Sequence, residues 1–298
     1  MNTSKESIGK ITDHYKTYGP IYKNGGIDLA RNGLYGMHTG YRDKDSGVKE
    51  SASKLMERKM INESNIRDGQ RILDAGCGTG TLTFEIASLY PNTKVSGIDI
   101  LEEHLEIASR YKSNFHNVLF SRQDYLNLAF GDNAFDRVFF CESLVHAQDK
   151  NKLLSEAYRT LRPGGKIIIA DIFMLNDNLT EKEKLDLSNF NKETGIPDFE
   201  NLYNFIQKLR LLRFQNISFQ DLTDNLSSTI YSEPELNSPN PSILLVENVT
   251  LSKLENLLST VGELFSNRNA GYFIITADIQ KKHTPTTSQD NSFKLFLG

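Results

Sequence analysis

RILDAGCGTGTLTFEIASLYPNTKVSGID, residues Arg71 to Asp99, reads as strand, glycine turn, helix, strand and terminal acid. Ile72 and Leu73 end a short apolar strand; Asp74, Gly76, Gly78 and Gly80 follow, before a helical pattern at Leu82, Ile86 and Leu89. Glycines at that spacing let the backbone turn sharply and leave no Cβ in the way of a ligand. A second strand, Lys94 to Ile98, runs into Asp99, 19 residues beyond Gly80. An acid there can accept hydrogen bonds from both hydroxyls of a ribose. A glycine turn alone is also an ordinary strand-to-helix connection; the helix, strand and acid that follow turn it into a nucleoside signal. The spacing is GxGxG, whereas dinucleotide sites use GxGxxG and receive a pyrophosphate at the helix N-terminus. Asp74 would repel a phosphate and suits a cationic amino-acid group, which disfavours a nicotinamide dehydrogenase.

DAGCGTG with the distal Asp99 resembles the first two motifs of the class I, Rossmann-like S-adenosylmethionine-dependent methyltransferases, and the similarity extends to about Phe173. The resemblance implies an α/β fold: a doubly wound, seven-stranded, mostly parallel sheet with an N-terminal helical lid and a helical cap insertion. It implies that the glycine loop lies against the methionine part of the cofactor, that Asp99 binds the ribose, and that Asp124, after the strand Val118 to Ser121, contacts the adenine amino group. Tyr125 packs on the ring or is an ordinary core aromatic. The implied cofactor-binding set is Asp74, Gly76, Cys77, Gly78, Thr79, Gly80, Asp99, Ile100, Gln123, Asp124, Tyr125 and Cys141.

The 298 residues, 38% hydrophobic, suffice for one large domain with an insertion or a lid. A net charge of −4 gives no electrostatic footprint for DNA or RNA. The two cysteines, Cys77 and Cys141, make no disulfide framework, and no apolar leader or run near 18 residues is visible. A cytoplasmic protein without a membrane span is expected, with self-association left open.

Residues 1–66 are expected to form the N-terminal lid, 67–280 the methyltransferase core with a cap at about 174–215, and 281–298 a loose tail. Ile8 to Tyr18 and Val48 to Ile61 read as short helices. Between them, GLYGMHTGYRDKD is similar to an aromatic and histidine stretch in enzymes that methylate prenyl diphosphates, tocopherols and related lipids. By that resemblance Tyr35 and His38 line the substrate cavity; packing of the lid on the core is the other reading.

Phe135 to Lys150, FDRVFFCESLVHAQDK, carries the catalytic candidates. Arg137 to Cys141 has the content of a buried strand, and its carboxyl end delivers Glu142, Ser143 and, one turn later, His146 to the ligand side of an open α/β sheet. The ES..H pattern is similar to sterol, tocopherol and prenyl-diphosphate C-methyltransferases and to several natural-product methyltransferases. Glu142 then positions the acceptor, takes a proton, or helps hold a metal brought by a diphosphate; as an acid at a helix N-terminus it needs no such role. LRPGG is expected to stop the next helix and turn into a central strand, Lys166 to Asp171. Glu181 to Asn189 and Phe199 to Leu212 read as helices of the cap, whose Phe190, Phe199, Tyr203 and Phe205 are either a pocket wall or core. Ile217 to Leu222 and Gly271 to Ile279 read as edge strands, one of them antiparallel, Ser227 to Ser242 as a loop, and Leu251 to Phe265 as a helix.

The expected function is S-adenosylmethionine-dependent methylation of a small acceptor. Carbon methylation of a prenyl diphosphate or related isoprenoid is the first reading, with Arg31, Arg42 and Lys44 available to phosphate and Mg²⁺ arriving only with a diphosphate. No dedicated metal-ligand spacing is visible. Nitrogen or oxygen methylation of a metabolite is the alternative, and a non-methylating cyclase or binding module is the alternative from another class.

Overall fold

The computed structural model describes residues 9–16, 39–42, 52–230 and 251–280. Residues 9–16 form helix α1 and Ala52–Ser64 form α2. The core then alternates β1 (Arg71–Ala75), α3 (Thr81–Leu89), β2 (Lys94–Asp99), α4 (Glu102–Tyr111), β3 (Val118–Arg122), β4 (Phe135–Cys141), α5 (Lys150–Thr160) and β5 (Leu161–Met174). It closes with α6 (Glu181–Thr194), α7 (Leu202–Leu211), β6 (Phe214–Asp221), α8 (Thr223–Ile230), α9 (Leu251–Ser266) and β7 (Ala270–Ile279). The strands make one seven-stranded sheet in the order β3-β2-β1-β4-β5-β7-β6, with β7 antiparallel to both β5 and β6. The expected doubly wound, mostly parallel architecture is therefore observed.

Apolar residues on both faces explain why β5 lies inside the sheet. Ile168 and Ala170 pack with Met56, Phe84, Phe139 and Tyr272 on one face, and Ile167, Ile169 and Phe173 pack with Leu153, Leu154 and Phe205 on the other. Fully burying a side chain of this size stabilises the fold by roughly 1.5–3 kcal/mol, so a strand apolar on both faces is favoured only where helices cover both. The strand order reverses between β1 and β4. At such a point the loops leaving neighbouring strands diverge to opposite faces and open a crevice at the carboxyl edge.

The structure differs from expectation at several boundaries. LRPGG does not end before the strand: β5 includes it, and the register shifts between Phe135 and Arg137 of β4 to absorb the extra residues. Gly164 bends there with φ +75°, so the turn is a bulge within the ladder. Ser227 to Ile230, expected in a loop, belong to α8. His146 sits in a short 3-10 turn, Leu144–His146, instead of an α-helix. No helix among the described residues is long and apolar enough to cross a membrane.

Candidate functional site

A cavity of about 460 Å³ occupies the crevice at the β1/β4 reversal, within the usual range for small-molecule sites. Its wall includes Asp74, Gly76, Cys77, Gly78 and Thr79 from the first turn, Asp99 and Ile100 after β2, Gln123, Asp124 and Tyr125 after β3, and Cys141, Glu142 and His146 after β4. These are residues singled out from sequence. Gly80 is the exception in the turn: a Cβ on it would meet Phe120 at 2.8 Å, so it packs against the protein and does not line the cavity. Tyr35 and His38 lie outside the described residues.

The glycine turn owes its sequence as much to the protein as to any ligand. Gly76 has φ +79°, and a Cβ there would fall 2.4 Å from Ser143 Cβ. Ser143 Oγ donates to Ala75 O at 2.6 Å, and Tyr125 Oη donates to Ser143 O at 3.0 Å, so the loops after β1, β3 and β4 are fastened together. Gly78 N donates to Asp99 Oδ2 at 2.9 Å and Leu101 N to Asp99 Oδ1 at 2.8 Å. Each oxygen of that carboxylate keeps capacity for another donor, so the group is oriented and still able to accept two hydroxyls. Asp74, almost fully buried, accepts from Thr83 Oγ1 at 2.6 Å. Asp124 Oδ1 accepts from Leu126 N at 2.8 Å in a local turn. This donor and acceptor set fits a nucleoside with an attached cationic amino acid.

The wall also includes Glu142, His146, Ile11 and Tyr15, and Tyr15 packs on His104, whose Nδ1 lies 3.6 Å from Asp99 Oδ1. Glu142 leaves β4 with φ +47°, a conformation that costs a non-glycine residue free energy and that the surrounding fold must hold. Its Oε1 accepts from Thr39 N at 2.6 Å and from Tyr272 Oη at 2.8 Å. His146 Nε2 lies 3.3 Å from Tyr15 Oη, and burial lowers the His146 pKa to about 3, keeping the ring neutral. The turn carrying it is held from beneath: Asp171 Oδ2 accepts from Val145 N at 2.9 Å, and Lys150 Nζ donates to Val145 O and Ala147 O at 3.2 and 2.6 Å. Burial and the neighbouring Glu142 raise the Asp171 pKa to about 7. Burial, with Asp74 and Asp99 beside it, pushes the Cys77 thiol well up, and Cys141 behaves likewise, so neither is a thiolate nucleophile near neutrality.

Ile11 and Tyr15 were not legible as site residues, because α1 carries no motif and reaches the cavity only through tertiary packing. The four aromatics offered as a pocket wall do not line it. Phe205 packs on Phe173 in the core, Phe190 stacks on Phe199, and Tyr203 is 70% exposed. Among the described residues no cluster of His, Cys, Asp and Glu could hold a metal ion.

Fold and cavity together define a Rossmann-like nucleoside-binding enzyme, and comparison with known proteins narrows that class. Residues 66–208 match the family model described as a methyltransferase domain. An O-methyltransferase of Penicillium expansum, cnsE, is 30% identical over 255 residues, covering 81% of this chain and 84% of the relative. The chain belongs to the class I S-adenosylmethionine-dependent methyltransferases that act on small molecules. Two solved structures share the fold: a geranyl diphosphate methyltransferase in complex with GPP and sinefungin, at TM-score 0.71 and 18% identity over 91% of this chain and 99% of that one, and the [4+2]-cyclase SpnF, at TM-score 0.70 and 20% identity over 90% and 95%.

Proposed function

We propose that the protein transfers the methyl group of S-adenosylmethionine to a hydroxyl oxygen on a small, uncharged and largely apolar acceptor. The observation that carries the acceptor class is the charge of the cavity wall. Asp74, Asp99, Asp124, Glu142 and Asp149 face it, and Lys152 is the one lysine or arginine among its described lining residues. Such a wall favours the sulfonium cofactor and opposes an anionic acceptor. Oxygen as the methylated atom is supported by the long match to the Penicillium O-methyltransferase.

In this reading Asp99 accepts the ribose hydroxyls, Asp124 the adenine amino group, and Asp74 with the Gly76–Gly78 turn faces the amino-acid end, while Cys77, Thr79, Ile100, Gln123, Tyr125 and Cys141 form the wall. The cofactor supplies an electrophilic methyl group on its sulfonium. The protein aligns the acceptor oxygen with it and excludes water. As the carbon–oxygen bond forms and the methyl–sulfur bond breaks, the hydroxyl proton passes to Glu142. His146, neutral and paired with Tyr15, orients the acceptor.

Carbon methylation of an isoprenoid is the second reading, favoured by the fold likeness to the geranyl diphosphate enzyme and by Glu142 at the cavity wall. Among the described residues Lys152 is the cation at the cavity wall that could meet a diphosphate; Arg31 and Lys44 lie outside the described residues, and Arg42 hydrogen-bonds through its backbone to Asn225 and does not line the cavity. S-adenosylhomocysteine release with phenols, alcohols, amines and isopentenyl, geranyl and farnesyl diphosphates, with and without Mg²⁺, tests the proposal. Metal-independent turnover on a neutral hydroxyl is expected. Mg²⁺-dependent turnover confined to a diphosphate would refute it, and cofactor binding without S-adenosylhomocysteine across the panel would favour a cyclase or binding module.

A further inference from the structure

Glu142 is held from outside its own strand. Two donors to its Oε1 come from distant parts of the chain: the phenol of Tyr272 on β7 and the amide of Thr39 in the segment 39–42. Tyr272 is fully buried, and its backbone is fixed on both sides. Its N–H donates to Thr223 Oγ1 at 3.0 Å, its carbonyl accepts from Leu222 N at 2.8 Å, and it pairs with Ile172 across the antiparallel β5–β7 ladder. The hydroxyl is therefore presented at a set place, and burial beside Glu142 keeps it protonated by pushing its pKa far up.

The segment 39–42 is equally anchored. Tyr41 N donates to Ala52 O at 2.9 Å, Asn225 Nδ2 donates to Arg42 O at 3.0 Å, and Gly40 lies so close to α2 that a Cβ on it would be 2.2 Å from Ala52 Cβ. One carboxylate oxygen thus ties β4, β7 and the segment ahead of the core together beside the cavity. Other ionisable groups around Glu142 are Asp171 of β5 and Cys141 of β4, the latter also sensing Glu57 of α2.

We propose that Tyr272 is a positioning residue for methyl transfer: its phenol fixes the Glu142 carboxylate toward the cavity and, through the shared oxygen, holds residues 39–42 against the acceptor end. A donor to the charged form of an acid lowers its proton affinity, so the phenol also keeps Glu142 ready to accept a proton. The inference rests on Glu142 facing the acceptor, and it holds whichever atom is methylated.

The test is Tyr272→Phe in the full chain, assayed with whichever acceptor the panel identifies. Losing a hydrogen bond to a charged group, worth roughly 1.5–3 kcal/mol, should lower kcat by about 10- to 100-fold. S-adenosylmethionine affinity should stay within about twofold, and the acid limb of the kcat profile should move to higher pH by about one unit. Amide exchange at 39–42, measured without any acceptor, should accelerate. This arm separates failure of the inference from failure of the acceptor assignment. Unchanged kcat, pH profile and exchange would overturn the proposal, as would a parallel loss of cofactor affinity and thermal stability, the mark of general loosening. Should the variant not fold, Thr39→Pro removes the other donor and must give the same shift of the acid limb; an unmoved limb overturns the proposal.

Discussion

Acidification should release α1 from the cavity. Its His14 is buried, with a pKa lowered to about 4 by desolvation, and His146 beneath it is lowered to about 3 by burial and by the neighbouring His14. The two rings lie 5.9 Å apart, with Tyr15 packed edge-on against both His14 and His104. Free histidine has a pKa near 6.5, so the docked state binds fewer protons than the undocked one. Stability conferred by docking is therefore present above about pH 6.5 and is lost as pH falls toward 4. Between pH 7 and pH 5 the linkage amounts to about 2 kcal/mol for His14, the ring that α1 itself carries, a roughly 25-fold rise in the undocked population. Eight described helical residues do not sustain a helix in water by themselves, so release should appear as loss of amide protection across 9–16. Hydrogen exchange at pH 7 and pH 5, corrected for the intrinsic rate, measures it. His14→Gln should remove most of the effect on the free-energy scale. Equal protection at the two pH values, or an undiminished loss in His14→Gln, would refute the reasoning.

Gly76→Ala should destabilise the fold by about 2–4 kcal/mol, from the positive φ and the contact with Ser143; a thermal melt within a degree of the parent would show that the turn has room. Asp99→Asn sets an amide against the Gly78 or Leu101 N–H, and leaving that donor unmet should weaken S-adenosylmethionine by tenfold or more in calorimetry. Glu142→Gln keeps an oxygen for Tyr272 and Thr39 but cannot take a proton, so turnover should be lost while cofactor affinity is retained; normal turnover would remove Glu142 as the base.

The nucleoside half was legible because its information is local. A glycine turn, an amphipathic helix and an acid at a strand end are contiguous in Arg71 to Asp99, and the sheet that they imply needs only the apolar runs at Val138–Phe140 and Ile167–Ala170 to be extended. The surroundings of Glu142 and His146 were not legible in the same way. Tyr15, Thr39, Glu142 and Tyr272 come from four separated parts of the sequence, and no periodicity relates them. The cap aromatics failed as a pocket wall for the same reason: a Phe stripe has the same spacing whether it faces a ligand or, as Phe205 does, the core.

Sequence alone therefore determined the doubly wound sheet and the acids at its carboxyl edge, since strand, turn and helix preferences act over a few residues. Tertiary structure decided what stands around Glu142 and His146. Antiparallel insertion of β7 brings a phenol to one, and docking of α1 brings a hydroxyl to the other. Those contacts exist only once the chain has closed on itself, because side chains more than a hundred residues apart meet only through the packing of the elements that carry them.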